Sequence, residues 1–182
     1  PYSATKAAAD QLITAWGRTY NIPYIILRPT NNYGIGQYIE KLIPKSIKYL
    51  HLDKQIPLHN EGTPIRNWLH AQDTANAVIT IIDSKSKNEI FNICGGFEQS
   101  NWDTVDKIIT LYHGEDKELQ TTFPHYDEDK NQFLDFSYSR IGQDVRYALN
   151  DNKLRSLGWK PKMIFDNELP NIIKYYKENF IW

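Results

Sequence analysis

The sequence has little cysteine, no long apolar run and no excess of charge, and each shortage narrows the class of protein. Cys94 is the only cysteine among 182 residues, which excludes an intrachain disulfide and favours a reducing, cytoplasmic setting. No apolar stretch approaches the ~20 residues of a membrane-spanning helix, so we expect no membrane partner. The formal charge is −1, from 21 basic and 22 acidic residues, and provides no field suited to nucleic acid. Any anionic ligand must therefore be bound by local groups.

Metal-ligand clusters and an initiator methionine are also lacking. The five histidines, at positions 51, 59, 70, 113 and 125, share no helical spacing and have no cysteine partners, so we predict no metal site. The only methionine is Met163. We therefore expect the sequence to be truncated or processed at its start.

Helical and strand patterns alternate along the chain, which predicts an α/β fold. Apolar residues at helical spacing predict an amphipathic helix over about 3–20, and the apolar run of residues 23–28 predicts a buried parallel strand. The polar stretch RPTNNYGIGQY then follows, where the carboxyl end of a strand would open into a ligand-binding loop. Later helices are predicted over 40–50, from Asp73, after Ser100, after Asn150 and from Asn167. Residues 113–137 show little pattern.

The predicted inward faces of three helices come from their apolar spacing. They are, in order along the chain, Ala75, Val78, Ile79 and Ile82; Val105, Ile108, Ile109 and Tyr112; and Leu169, Ile172, Ile173 and Tyr176.

Two short motifs suggest dinucleotide chemistry. Gly34-Ile-Gly36 lacks the third glycine of a dinucleotide-binding turn, since position 39 is isoleucine, and is therefore rejected. Tyr2 and Lys6 are four residues apart at the head of a helix, so their side chains share one face. A nearby ammonium favours the phenolate form of a tyrosine, whose free pKa is ~10, and makes it usable as a base. The same spacing also arises by chance.

Four motifs in fixed order resolve that ambiguity. YSATK, LRPTNNYG, EKLIP and IRNWLHAQD together resemble the nucleotide-sugar 4,6-dehydratases of the extended short-chain dehydrogenase/reductase family, and the resemblance runs over residues 1–182. It implies the C-terminal part of a Rossmann-type NAD-binding domain, with a smaller α/β substrate-binding domain. Residues 1–35 would be the last part of the Rossmann domain, with segments near 65–95 returning to it. The remainder of 36–182 would bind the nucleotide sugar.

The resemblance also implies a reaction that oxidises the sugar at C4, removes water across C5–C6 and reduces C6. Tyr2 would take the proton from the C4 hydroxyl while hydride leaves for NAD, and Lys6 would hold the nicotinamide ribose. Asn32 would lie near the cofactor. The glycine-rich NAD turn and a Thr-Asp-Glu stretch that performs the dehydration would belong to a missing N-terminal half, which is the implied partner within a homodimer.

Substrate contacts are implied at positions that match the family. Arg66 would grip the nucleotide diphosphate, a task suited to a planar guanidinium. His59 departs from the family's usual tyrosine in the segment that lines the base, which leaves dTDP-glucose or UDP-glucose open. The full implied set is Asn31, Lys41, Pro57, Leu58, His59, Arg66, Asn101, Ser139, Arg140, Gly142 and Gln143.

Two other functions remain open from the sequence. One is an epimerase or decarboxylase on the same scaffold, against which NNYG and EKLIP argue. The other is an inactive fragment or split subunit that only binds a nucleotide sugar or a partner chain.

Overall fold

A computed structural model describes residues 1–114 and 130–179. Its helices are α1 (Tyr2–Tyr20), α2 (Leu42–His51), α3 (Ala71–Asp83), α4 (Asn101–Gly114), α5 (Asn152–Arg155) and α6 (Phe165–Glu178). Its strands are β1 (Ile25–Pro29), β2 (Asn31–Tyr33), β3 (Ile56–Pro57), β4 (Ile65–His70), β5 (Glu89–Ile93), β6 (Phe97–Ser100) and β7 (Leu134–Asp135). Short 3-10 turns cover His59–Gly62 and Lys130–Phe133. In the described ranges no helix is both long and apolar enough to cross a bilayer.

The strands form three small sheets in which parallel pairing predominates. β1 runs parallel to β5, β2 runs parallel to β4, and β3 runs parallel to β7, while β6 is antiparallel to β4. Pro29 lies opposite Ile93 in the first pair, so the carboxyl ends of β1 and β5 meet at one edge. Helices combined with parallel strands confirm the predicted α/β class. The shared strand ends are where a ligand site is expected.

Two apolar clusters form the core. The larger lies between α2, α4 and α6, and the predicted inward residues of α4 and α6 are all buried within it. The smaller lies between β5, α3 and the chain near α5; its buried members are Leu69, Ala77, Ile81, Phe91, Ile93, Leu154 and Trp159. Burying one such side chain stabilises the folded state by about 1.5–3 kcal/mol. These clusters hold in place the strand ends described above.

The start of α4 confirms the predicted Ser100 cap. Ser100 Oγ accepts a hydrogen bond from the Asp103 amide at 2.9 Å, and the Asp103 carboxylate accepts one from the Ser100 amide at 3.3 Å. This reciprocal capping box satisfies two backbone donors that a helix start leaves unpaired.

The predictions for α3 are wrong in both cap and face. The cap is His70, whose Nδ1 accepts from the Gln72 amide at 3.1 Å, whereas Asp73 lies inside the helix with 1% exposure. The inward face is formed by Asp73, Ala77 and Ile81. The predicted inward residues Ile79 and Ile82 are 56% and 68% exposed.

A long-range contact explains why α3 turns that way. The two carboxylate oxygens of Asp73 accept hydrogen bonds from the backbone amides of Lys162 and Met163, each at 3.0 Å. A buried carboxylate needs such donors, so these bonds fix the rotation of the helix about its axis. Apolar spacing within the helix carries no information on a partner 89 residues away.

α1 and β1 are much less buried than the sequence indicates. None of the residues of α1 is buried, and an Asp10–Arg28 ion pair at 2.6 Å joins the helix to β1. In β1 only Ile26 is buried, although the parallel pairing is as predicted. Among the described residues, β1 pairs with β5 alone, so its other edge is open. α6 also begins at Phe165 rather than at the predicted Asn167.

Candidate active site

A cleft of about 820 Å³ lies between the first turns of α1, the end of β1 and residues 146–149. Tyr2, Lys6 and Asn31 line it together with Arg146 and Tyr147. The structure thus brings three of the predicted site residues to one space at the carboxyl end of β1. Sequence reasoning missed the other two, whose only local signal is a cation and an aromatic residue just after the Ser139–Asp144 segment.

Tyr2 and Lys6 lie one helical turn apart at the start of α1. The Tyr2 side chain is 74% exposed. Neither its hydroxyl nor the Lys6 ammonium forms a hydrogen bond with any residue in ranges 1–114 and 130–179, so both are available to a ligand. A phenol and an ammonium on one helix face are suited to proton transfer.

Tyr147 is a second tyrosine in the cleft, but it is unsuited to act as a base. Its hydroxyl donates a hydrogen bond to the Asp144 carboxylate. That bond, with burial as a smaller cause, raises the pKa of Tyr147 above its usual value. A phenol whose proton is already donated to a carboxylate is a poorer acceptor, so Tyr2, whose hydroxyl has no such partner among the described residues, is the better candidate for proton transfer.

The side chain of Asn32 is used inside the chain. Its Nδ2 donates to the Thr30 carbonyl at 3.1 Å, and its Oδ1 accepts from the Thr74 hydroxyl at 2.5 Å. Gln37 also donates to the Asn32 carbonyl at 2.6 Å. Successive side chains of a strand point to opposite sides, and it is the neighbouring Asn31 that lines the cleft. Asn32 thus holds the loop after β1 in the shape that presents Asn31.

Asn67 connects the floor of the cleft to one wall. It is 2% exposed, and its Nδ2 donates to Glu98 Oε1 at 3.5 Å. The other oxygen of Glu98 accepts from Arg146 Nε at 2.9 Å. Asn67 lies inside the IRNWLHAQD motif, but its role as a link was not found from the sequence because its partners come from distant segments.

Arg66 is a buried cation that forms no ion pair with the described residues. It is 8% exposed, and its Nη1 donates to the carbonyls of Ile65 at 2.7 Å and Asp144 at 3.1 Å. Within the described chain, Nε and Nη2 donate to no atom and no carboxylate is in ion-pair contact. Burial is the main cause that lowers the pKa of this guanidinium, and the nearby charge of Arg140 adds to it. An anion would offset the cost of such burial.

Arg140 sits on a segment whose backbone is fixed by Asn60. Its amide donates to Asn60 Oδ1 at 2.7 Å, and Asn60 Nδ2 returns a hydrogen bond to the Arg140 carbonyl at 3.3 Å. Gly142 adopts a φ of 71° in this segment, and the buried Gln143 Oε1 finds no partner in the described residues. Ser139 and Arg140 are exposed. The segment therefore presents several unused polar groups beside Arg66.

Of the predicted substrate residues, Asn31 lines the cleft, whereas Arg66, the 139–143 segment and the residues named below lie outside its lining. Leu58 is 2% exposed in the larger core, and the His59 ring lies 5.7 Å from the ring of Tyr138. Asn101 begins α4, and Lys41 pairs with Glu40 at 2.7 Å. Pro57 belongs to β3. The part of the chain that the structure describes contains no group of three or more side chains able to hold a metal ion.

Known proteins with similar sequences and structures indicate the family of this chain. The sequence model of the NAD dependent epimerase/dehydratase family matches residues 1–94. The dTDP-glucose 4,6-dehydratase of Haemophilus influenzae is 37% identical over 180 residues, which are 98% of this chain and 52% of that protein. The dTDP-glucose 4,6-dehydratase of Bacillus anthracis, solved in complex with NAD, superposes with a TM-score of 0.83 at 33% identity, over 100% of this chain and 53% of that one.

A third relative has a similar structure and matches over a similar share of its length. The dTDP-glucose 4,6-dehydratase of Streptomyces venezuelae, solved with NAD bound, gives a TM-score of 0.82 at 30% identity over 98% of this chain and 51% of that one. The chain thus spans about half the length of the relatives it matches. The resemblance to nucleotide-sugar 4,6-dehydratases and the predicted extended short-chain dehydrogenase fold are both confirmed. This chain belongs to the NAD dependent epimerase/dehydratase family.

Proposed function

We propose that this chain is the C-terminal half of an NAD-dependent dTDP-glucose 4,6-dehydratase. The observation that carries the proposal is the cleft itself, because it brings Tyr2 and Lys6, whose polar atoms have no partner in the described part of the chain, to the same space as Tyr147, whose ring contacts Arg66. A nucleotide sugar has a diphosphate at one end and a sugar hydroxyl at the other. The relatives that share half of their length with this chain carry that activity in their names.

The residues present fit NAD as cofactor. The Lys6 ammonium is exposed in the cleft and has three donors suited to ribose hydroxyls. A dinucleotide held there would supply hydride chemistry, as acceptor at C4 and as donor at C6 of the sugar. Gly34 and Gly36 do not form a dinucleotide-binding turn of the glycine-rich type, since α2 begins only at Leu42.

Each cleft residue then has a defined task. Tyr2 accepts the proton of the C4 hydroxyl, with Lys6 one helical turn away on the same face of α1. The Asn31 amide orients the sugar, while Asn32 holds the Asn31 backbone. Removal of the C5 proton and loss of the C6 hydroxyl are assigned to carboxylates of the other half. Those groups are proposed from the family resemblance.

The nucleotide is held beside the cleft, where Arg66 contacts the ring of the cleft residue Tyr147. Arg66 and Arg140 bind the diphosphate, because a fixed guanidinium with unused N–H groups matches its oxygens. We assign contacts with the base, ribose and phosphates to Lys41, Pro57, Leu58, His59, Asn101, Ser139, Gly142 and Gln143. UDP-glucose is the alternative substrate, because His59 replaces the tyrosine that the family usually has.

The arrangement of the core supports the proposed domains. The smaller cluster is built largely from the 65–95 region beside β1, as a Rossmann part formed by residues 1–35 and 65–95 would require. The larger cluster lies mostly in the remainder of the chain, which we assign to the nucleotide sugar. A cytoplasmic homodimer that includes the N-terminal half completes the proposal.

Complementation tests this function. Residues 1–182 should bind dTDP-glucose but release no water from it, whereas the same chain mixed with the N-terminal half of the H. influenzae relative should form the 4-keto-6-deoxy product. Mass spectrometry of the nucleotide sugar measures the loss of one water. Turnover by the chain alone would contradict the division of roles. An assembled mixture that binds the substrate without turnover would favour the alternative of a binding-only subunit, and release of a 4-epimer would favour an epimerase.

A further inference from the structure

Gln37 forms hydrogen bonds to three separate parts of the chain. Its Nε2 donates to the Asn32 carbonyl at 2.6 Å, and its backbone amide donates to the Gly34 carbonyl at 3.4 Å. Its own carbonyl accepts from the hydroxyl of Tyr176 at 2.7 Å, a residue of α6 that lies 139 positions further along the chain. Gln37 therefore closes the loop that follows β2 and attaches this loop to α6.

The strand that this loop follows has little support of its own. β2 is three residues long, and within the described ranges it pairs with β4 alone, so one of its edges is unpaired. Its first residue, Asn31, lines the cleft, and the Asn31 side chain forms no hydrogen bond with residues 1–114 or 130–179. The position of that amide therefore depends on the backbone around it. The bond from Gln37 reaches this backbone at the next residue, Asn32.

The same bonds join the two parts of the chain to which we assign different ligands. Tyr176 is 3% exposed in the larger apolar cluster, which belongs mostly to the proposed nucleotide-sugar domain. Asn32 is bonded through its side chain to Thr74 of α3, beside the smaller cluster of the proposed Rossmann part. Gln37 lies between them and bonds to both, so it fixes the strand end at Asn31 relative to the nucleotide-sugar domain.

We propose that Gln37 is a positioning residue that holds the Asn31 amide in place against the sugar of the bound nucleotide sugar. This rests on the proposed function, in which Asn31 orients the sugar. An amide whose backbone is already fixed loses less conformational entropy on binding than a mobile one. The hydrogen bonds that hold Arg66 go to Ile65 and Asp144 and do not involve this loop. Gln37 should therefore affect binding of the sugar and not that of the diphosphate.

The ratio of two dissociation constants tests this role. Residues 1–182 are titrated calorimetrically with dTDP-glucose and with dTDP. Gln37→Met keeps the length of the side chain but removes the donor, and should weaken dTDP-glucose relative to dTDP by about two- to tenfold, as expected for one hydrogen bond. Tyr176→Phe removes only the hydroxyl that holds Gln37 and should shift the ratio in the same direction by less.

A matched control and a double variant separate positioning from a general effect on the fold. Gln55 Nε2 also donates to a backbone carbonyl, that of Gln132 at 3.0 Å, but Gln55 does not line the cleft, so Gln55→Met should leave the ratio unchanged. Asn31→Ala removes the amide itself and should shift the ratio at least as far as Gln37→Met. If Gln37 acts through Asn31, the double variant should shift it no further than Asn31→Ala alone.

Each result has a defined meaning. An unchanged ratio in Gln37→Met, equal weakening of both ligands, or additive shifts in the double variant overturns the positioning role, while binding of both ligands by the unaltered chain leaves the proposed function standing. If the unaltered chain binds neither ligand, the proposed function fails, and the role of Gln37 with it. Near-ultraviolet circular dichroism confirms that each variant is folded. Tyr176→Phe, which keeps the buried ring, decides the question if Gln37→Met does not fold.

Discussion

The Thr30 hydroxyl donates a hydrogen bond to Asn67 Oδ1 at 3.1 Å, and both side chains are buried. The same oxygen accepts the amide of Gly95 at 3.0 Å. One amide oxygen thus joins the residues that follow β1 and β5 to the middle of β4. Because Asn31 is the next residue after Thr30, the position of a cleft side chain depends on this contact.

Asn67→Ala should destabilise the fold substantially. It leaves the Gly95 amide and the Thr30 hydroxyl without an acceptor and creates a cavity, which together cost about 2–4 kcal/mol in the free energy of unfolding. Urea denaturation measures the loss. Asn152→Ala is the control, because Asn152 is exposed on α5 and its replacement should change stability by less than ~0.5 kcal/mol. A similar loss in both variants would show that Asn67 does not link the strands.

Gly95→Ala should be among the most damaging single changes. A Cβ atom at this position would lie 1.7 Å from the carbonyl oxygen of Trp68. Since the obstacle is backbone rather than a flexible side chain, β4 and β5 must separate, at a cost of about 3 kcal/mol or more. Thermal unfolding monitored by circular dichroism measures this. Gly114→Ala meets no atom within 4 Å, and a comparable loss of stability there would refute the explanation.

Asp73→Asn tests the two hydrogen bonds that fix the rotation of α3 about its axis. An amide can accept only one of the two bonds from Lys162 and Met163, and its NH₂ group then faces a backbone N–H. We expect a loss of about 1–3 kcal/mol, which lowers the melting temperature by roughly 2–10 °C in a chain of this size. Asp166→Asn removes an ion pair whose aspartate side chain is 57% exposed and should cost less than ~1 kcal/mol. Equal shifts for the two variants would contradict the assigned role of Asp73.

Arg66→Ala should weaken binding of dTDP by about 1.5–3 kcal/mol, or roughly ten- to over a hundredfold, because charge-assisted contacts with the diphosphate are lost. Arg66→Lys should recover only part of this loss, since an ammonium lacks the planar fork. Isothermal titration calorimetry measures both. Thymidine has no phosphate and should bind equally to all three proteins. If Arg66→Ala bound dTDP as tightly as the unaltered chain, Arg66 would not be part of the diphosphate site.

Tyr2→Phe should affect the chemical step rather than binding. In the complex with an N-terminal half, removal of the phenolic oxygen should slow hydride transfer by roughly 10²-fold or more, with substrate affinity largely retained. Single-turnover absorbance of reduced cofactor measures the step. Tyr20→Phe supplies the control, because Tyr20 lies at the far end of α1 with 60% exposure. An unchanged rate in Tyr2→Phe would refute its assignment as the base.

The two helix faces that the sequence predicts correctly and the one that it misses differ in what sets their orientation. α4 and α6 bury their apolar stripes against each other and α2, so the local spacing of apolar residues contains the answer. In α3 the orientation is set by Asp73 and a segment far along the chain. The spacing of apolar residues predicted that Ile79 and Ile82, rather than Asp73, face the core. It failed because spacing contains no information on hydrogen bonds between distant residues.

The residues of the candidate site also fall into two groups, those that sequence motifs indicate and those that only the folded structure brings together. The resemblance of the motifs to the family indicated Tyr2, Lys6, Asn31 and Arg66 as candidates, whereas the spacing of Tyr2 and Lys6 alone also arises by chance. Tyr147 and Asn67 act through where they lie, between β4 and segments that approach it only in the folded chain. Their contribution therefore became visible only from distances.

The absence of buried residues in α1 has a consequence for how activity would be controlled. A helix of 19 residues with no buried residue gains little stability from tertiary packing, and Tyr2 and Lys6 lie at its amino-terminal end, where helices fray. We expect backbone amides near Lys6 to exchange with deuterium almost freely in the isolated chain. A polypeptide that covers α1 would supply the missing packing and, in the same step, hold the tyrosine and lysine in register, so that assembly itself would act as the switch between a nucleotide-sugar binder and a catalyst.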